Sequence, residues 1–241
     1  ILAYLKSNTC CGLALVIGSY LALVLWVLPY FMKNKQPYQL TRILLTYNAF
    51  QVAYSRYIFH FNLHHKVYIK PLPKFLFQVI IEIWPYFIAK HIDLLDTVFF
   101  VLRKKDSQVT FLHVFHHALM VTWVWFYYFY HPSDHFVVVG NINSFVHVMM
   151  YAYYGLSSLG PGYAKYVWWK KHLTKVQLVM ITNLYYQQKL TPCPIPSAFH
   201  YYCLFCISSF FFLFMNFYMR NYSAMKSKKI NTSVSTDLNL Y

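Results

Sequence analysis

Phe111-Leu-His-Val-Phe-His-His-Ala-Leu-Met-Val-Thr-Trp-Val-Trp-Phe-Tyr-Tyr-Phe-Tyr130 decides the fold. From Phe111 to Phe129 the positions are apolar or aromatic with few exceptions. About 20 residues at 1.5 Å each give a helix of roughly 30 Å, the thickness of a bilayer's hydrocarbon core. The notable exceptions are His113, His116 and His117. A helix turns about 100° per residue, so the three imidazoles share one face and mark a candidate site in a segment that otherwise wants lipid.

The same texture runs through the chain, which is 59% hydrophobic, 22% aromatic and 11% charged; soluble domains carry about 25% charged residues. Its apolar residues fall in runs rather than thin stripes, which marks an integral membrane protein. No long polar interruption divides the 241 residues, so the expected fold is all-α, with one polytopic helical domain over residues 1–220 and a polar tail over 221–241. The chain starts at Ile1 rather than Met, so further N-terminal residues are expected. Lys and Arg number 21 against 6 acidic residues, a formal charge of +15. These cations sit in short groups between apolar runs, the pattern of topology-setting loops, so no nucleic-acid partner is expected. The five cysteines, Cys10, Cys11, Cys193, Cys203 and Cys206, form no metal-binding spacing and are expected to be buried, inert thiols.

Spanning segments are expected at about 12–32, 42–59, 75–102, 111–130, 136–156, 173–189 and 199–219. The third is long and holds Lys90, Asp93 and Asp96, so tilt or an adjoining cavity is expected there. One set of alternate loops carries Lys33, Lys35, Arg42, Arg103, Lys104, Lys105, Lys165, Lys170, Lys171, Arg220, Lys226, Lys228 and Lys229, and the other only Lys6, Lys66, Lys70, Lys74 and Lys189. By the positive-inside rule the richer set is cytosolic, which sets the N-terminus in a lumen and the C-terminus in the cytosol. The Ser/Thr/Asn-rich tail from Asn221 to Tyr241 is expected to be disordered, and its sequons at Asn221 and Asn231 unmodified. Lys226 to Lys229 resembles a dilysine retrieval signal but does not sit at the extreme C-terminus, so it reads as a positive-inside anchor.

Lys90, Asp93, Asp96 and Thr97 are spaced 3, 3 and 1 on one face of the third span. Each charge at mid-membrane costs roughly 2.5–3.5 kcal/mol, about 8–10 for three, so these groups must be paired or solvated. In the fifth span Asn143 and His147 stand at i and i+4. The fourth and fifth spans are joined by a short loop, so they are expected to be antiparallel neighbours that bring His147 to the first cluster.

Membrane histidines also occur in di-iron desaturases and hydroxylases, the competing reading, and His60, His64 and His65, or His131 and His135, mimic further boxes. The expected topology places those at the lumenal face, about 25 Å along the helix from His113 at 1.5 Å per residue, too far for a shared metal. One zinc ion on His113, His117 and His147 stays conceivable. Without a metal, clustered imidazoles serve as nucleophile and acid/base. That chemistry suits acyl transfer between charged cytosolic thioesters and an apolar chain in the membrane, with basic loops available to hold phosphates.

Four segments together resemble the very-long-chain fatty acid elongases, condensing enzymes of the endoplasmic reticulum membrane. They are Lys90-His-Ile-Asp-Leu-Leu-Asp96-Thr97 with the following Val-Phe-Phe-Val-Leu-Arg-Lys-Lys105; Gln108-Val-Thr-Phe-Leu-His113-Val-Phe-His116-His117; Asn143-Ser-Phe-Val-His147-Val-Met-Met-Tyr151-Ala-Tyr153-Tyr154; and Leu173-Thr174-Lys-Val-Gln177. Two positions depart from the family pattern: Asp93 stands where Glu is usual, and Met180 where a second Gln is usual. The resemblance implies about seven helices enclosing an acyl-chain tunnel. It also implies long-chain acyl-CoA and malonyl-CoA as substrates, a 3-oxoacyl-CoA product, no cofactor, and membrane lipid around the chain. A homodimer and the reductase and dehydratase that act on the product are the implied partners. By the same resemblance His116 is the expected acylated residue, with His147 as second imidazole and His113 and His117 as proton shuttles. Lys90, Asp93 and Asp96 are expected to orient the rings, Asn143 and Gln177 to bind the oxyanion, and Tyr151 to contribute to substrate binding or orientation.

Overall fold

The computed structural model describes residues 2–64, 72–130, 134–166, 168–190 and 197–220. Among them no strand occurs, and the elements are helices joined by short connections. His65, Lys66, Lys70, His131, Cys193 and the tail from Asn221 to Tyr241 lie outside the described residues.

The first apolar run forms α1 (Leu2–Ala22), which passes through a π-helical turn, Leu23–Val27, into α2 (Leu28–Met32). The Leu28 N–H bonds the Leu23 carbonyl five residues back, just ahead of Pro29. A proline ring collides with the carbonyl four residues before it, and the wider turn gives it room. The next runs form α3 (Thr41–His64), α4 (Leu72–Ile92), α5 (Leu95–Leu102), α6 (Phe111–Tyr130), α7 (Asp134–Ser158), α8 (Lys170–Leu190) and α9 (Ser197–Tyr218). Every run expected to span therefore falls on a helix, the third divided between α4 and α5. Cys10–Met32 and Tyr201–Tyr218 are long and apolar enough to cross a bilayer by length and composition. Trp26, Phe111 and Phe212 are 71, 72 and 70% exposed; outward aromatics of this kind fit a lipid-facing surface far better than a wet one.

Packing divides the chain into two units, Ile1–Val167 and Trp168–Tyr241. In the second, α8 packs on α9, burying Thr174, Leu178 and Ile181 of one helix and Cys203, Cys206, Ile207 and Phe210 of the other. These are the three- and four-residue intervals of a single helix face. Cys203 and Cys206 are the buried thiols expected, but Cys10 and Cys11 are exposed on α1, which corrects that expectation.

In the first unit α4 is the central helix, packed on α3, α6 and α7. Leu44, Asn48, Gln51, Ser55 and Ile58 make one buried stripe along α3. Asn48 lies against Gly155 and Phe59 against Phe145, so α3 and α7 run antiparallel. The Trp84 ring lies 5.5 Å from that of Tyr128 while Thr97, on α5, meets His113, so the α4–α5 segment opposes α6. Sequence reading expected α6 and α7 to be direct neighbours. Among the described residues they are not a packed pair; α4 packs on both. A short loop fixes the direction of two helices, while the best partner for each apolar face is settled by packing.

Candidate active site

Lys90, Asp93 and Asp96 recur every third residue, and on an ideal α-helix each such step falls about 60° short of a full turn. Between α4 and α5 the backbone tightens to remove that lag. The Leu94 N–H bonds the His91 carbonyl at 3.3 Å and the Asp96 N–H bonds the Asp93 carbonyl at 3.2 Å, each three residues back. A 3₁₀ turn takes three residues, so the tightening brings these side chains closer to one line.

Asp93 is the hub. Its Oδ2 accepts from Lys90 Nζ at 2.9 Å, and its Oδ1 accepts from Gln51 Nε2 at 2.8 Å and from the Tyr151 hydroxyl at 3.0 Å. Lys90 Nζ also lies 3.2 Å from His147 Nε2 and 4.8 Å over the Tyr86 ring. An ammonium only donates, so Nε2 of His147 accepts and the ring hydrogen of a neutral imidazole belongs on Nδ1, 3.6 Å from Asp93 Oδ2. The Tyr151 hydroxyl lies 2.8 Å from Asp96 Oδ2 as well, so one hydroxyl hydrogen serves two carboxyl groups. All seven side chains are buried, and their mutual pairing answers the desolvation cost that three charges in an apolar run impose.

A second chain of contacts starts on α1. The hydroxyls of Tyr20 and Thr97 are 2.8 Å apart, and Thr97 Oγ1 lies 3.0 Å from His113 Nε2. Thr110 Oγ1 accepts the His113 N–H at 3.3 Å, capping the first turn of α6 and fixing the backbone that carries the histidines. The His113 and His117 ring centroids are 4.3 Å apart, and those of His116 and His117 5.4 Å. His113 of α6 thus meets the α4–α5 segment through Thr97, and His147 of α7 meets it through Lys90. Tyr86 lies flat on α7 over Gly140, where an added Cβ would meet the ring at 3.3 Å, and its hydroxyl donates to Asn143 Oδ1 at 2.9 Å.

The structure therefore joins Lys90, Asp93, Asp96, His147 and Tyr151 directly, with His113, His116 and His117 beside them and Asn143 one turn before His147. Asp96 has Tyr151 rather than an imidazole as its hydrogen-bond partner, and His113 is bonded by Thr97 rather than by a carboxylate. Gln177 lies on α8, in the second unit. Among the described residues no group of three or more His, Cys, Asp or Glu side chains is arranged to hold a metal ion. The trio of His113, His117 and His147 is not such a group; Nε2 of His113 lies on Thr97 and Nε2 of His147 on Lys90. Sequence reading missed Gln51, Tyr86, Tyr47 and Tyr20. Asn48, Gln51 and Ser55, spaced 3 and 4 inside an apolar run, carried a readable signal for Gln51; single tyrosines among 24 carried none.

A family model described as ELO: GNS1/SUR4 family matches residues 6–230. The chain belongs to the GNS1/SUR4 family. Very long chain fatty acid elongase 4 of Homo sapiens is 36% identical over 228 residues, covering 89% of this chain and 73% of that protein. Very long chain fatty acid elongase 5 of Rattus norvegicus is 37% identical over 214 residues, 83% of this chain and 71% of that one. A very long chain fatty acid elongase of Aedes aegypti is 37% identical over 232 residues, 90% and 64% of the two chains. The family resemblance read from the four motifs is thereby shown, and the GNS1/SUR4 match contains every residue of the cluster as well as Thr174 and Gln177 on α8.

Proposed function

We propose that this chain condenses a long-chain fatty acyl-CoA with malonyl-CoA, releasing CoA and carbon dioxide and giving a 3-oxoacyl-CoA two carbons longer. The observation that carries this reading is the buried Lys90–Asp93–His147 cluster, with the His113, His116 and His117 rings of α6 held on the same α4–α5 segment through Thr97, in a chain whose relatives are named elongases.

The reaction runs in two halves. A nitrogen of His116 attacks the acyl thioester carbon, the C–S bond breaks, and CoA leaves with the imidazole proton. Malonyl-CoA then loses its carboxylate as carbon dioxide, and the electron pair stays on the adjoining carbon as an enolate. That carbon attacks the acyl group, the bond to His116 breaks, and the freed imidazole regains one proton. His147, held as one tautomer by Lys90 and Asp93, binds at the reacting carbon, while His113 and His117 pass protons, including the one that returns to the freed His116. Asn143 and Gln177 stabilise the thioester oxyanion. The chain acts as a seven-span protein of the endoplasmic reticulum membrane, lumenal at its N-terminus and cytosolic at its C-terminus, with the acyl chain in a tunnel between helices.

Incubation of the purified protein with labelled malonyl-CoA and a panel of acyl-CoAs tests the reaction and reads its chain-length preference. The expected product is two carbons longer; no labelled 3-oxo product across the panel would refute the proposal. Intact mass after incubation with acyl-CoA alone should show one added acyl group, absent in His116→Ala. An undiminished adduct in that variant would move the nucleophile elsewhere.

A further inference from the structure

Gln51 is 1% exposed, in the buried stripe of α3 between Leu44 and Ile58. Packing alone would be met there by an aliphatic side chain, and a buried amide costs free energy unless it is bonded. Its Nε2 has two hydrogens and two partners: Asp93 Oδ1 at 2.8 Å and the Tyr47 hydroxyl at 3.1 Å. Tyr47 in turn donates to the Ile92 carbonyl at 3.3 Å, the last residue of α4 before the tightened turn. From α3, then, one amide grips the Asp93 carboxylate directly and the backbone beside it through one tyrosine. Asp93 is the shorter of the two acidic side chains, and the Gln51 amide meets its carboxylate across the gap between α3 and the α4–α5 turn.

We infer that Gln51 is a positioning residue for the condensation: it fixes the Asp93 carboxylate, and through it the place of Lys90 and the tautomer of His147. The inference rests on the proposed reaction and adds to it a helix that none of the four motifs includes. The Gln51 amide bonds Asp93 and Tyr47, so its effect on the imidazoles passes through Asp93.

The test is a methylene swap. Gln51→Asn draws the amide back by one carbon, Asp93→Glu pushes the carboxylate forward by one, and the double variant restores the span. Activity is measured on the full chain in detergent, as kcat and as KM for each thioester, per folded molecule and beside a thermal unfolding curve. Each single change should lower kcat about tenfold or more with KM held within about twofold, the loss of one hydrogen bond to a charged acceptor. The double variant should return to within about threefold of the original kcat. A double variant whose loss equals the product of the two single losses overturns the inference. So does Gln51→Leu that melts earlier but turns over at the original rate, because that is packing alone. Should Gln51→Leu fail to fold, the swap still decides. Absence of malonyl-dependent product from the unaltered chain would instead refute the proposed reaction; an active parent with additive variants refutes only this pairing.

Discussion

At the Tyr151 hydroxyl two carboxyl groups meet on one hydrogen, 3.0 Å from Asp93 and 2.8 Å from Asp96. The ring itself packs edge-on against Tyr47 and His147, with centroids 5.9 and 5.5 Å away. Tyr151→Phe keeps that packing and removes only the donor, so its effect isolates the hydrogen bonds. The cost to stability should be about 1.5–3 kcal/mol, the range for a buried bond to a charged acceptor. Because Asp93 also faces His147 and Lys90, kcat should fall with it by about tenfold or more. Thermal unfolding in detergent and steady-state kinetics read the two effects separately. A variant that keeps both within error would mean that the two carboxyls are satisfied without this hydroxyl.

Among the elements, the contact of α4 with α7 depends on Gly140, whose missing side chain leaves room for the Tyr86 ring. Gly140→Val would push that ring off Asn143 and away from Lys90, and overpacking of this kind costs about 1–3 kcal/mol. Tyr86→Leu introduced into the Gly140→Val chain should recover part of the lost stability and none of the lost rate, since the space returns but the hydroxyl does not. Thermal midpoints and kcat of the two variants check this, and a double variant no more stable than the single one would place the strain elsewhere. The helices themselves were legible in the sequence, because an apolar run is a local signal and Phe111 to Tyr130 states its own length. Their partners were not. The packing of α4 on both α6 and α7 depends on which faces fit, and the tightened turn at Asp93 and Leu94 shows in sequence only as a three-residue repeat of charges. The imidazoles and the acids were readable because ionisable groups are rare in apolar runs. Gln51 left a fainter mark, as one of three polar residues spaced 3 and 4 in an apolar run, and Tyr20 left none, since one tyrosine among 24 does not stand out until its partner is known.

For the whole molecule, the orientation in the membrane is set by which loops gather at which end, and the fold itself sorts them. The Tyr38 N–H bonds the Leu102 carbonyl at 3.1 Å, and Lys104 Nζ reaches the Lys33 carbonyl at 3.4 Å. The connection after α2 and the connection after α5 therefore meet at one end of the first unit, carrying Lys33, Lys35, Arg103, Lys104 and Lys105 together. They are alternate loops in the chain, and the positive-inside rule assigns such a pair to the cytosol. In sealed microsomes, cysteines introduced as Lys35→Cys and Lys104→Cys should react with a membrane-impermeant thiol reagent before any detergent is added. Cys10 and Cys11, exposed on α1 and expected at the lumenal end, should react only after permeabilisation, and Asn231 should carry no glycan. A glycan at Asn231, or protection of both new cysteines until detergent is present, would turn the molecule over. The histidine-bearing first turns of α6 would then open toward the lumen, away from a cytosolic supply of CoA thioesters, and the proposed reaction would fall with the orientation.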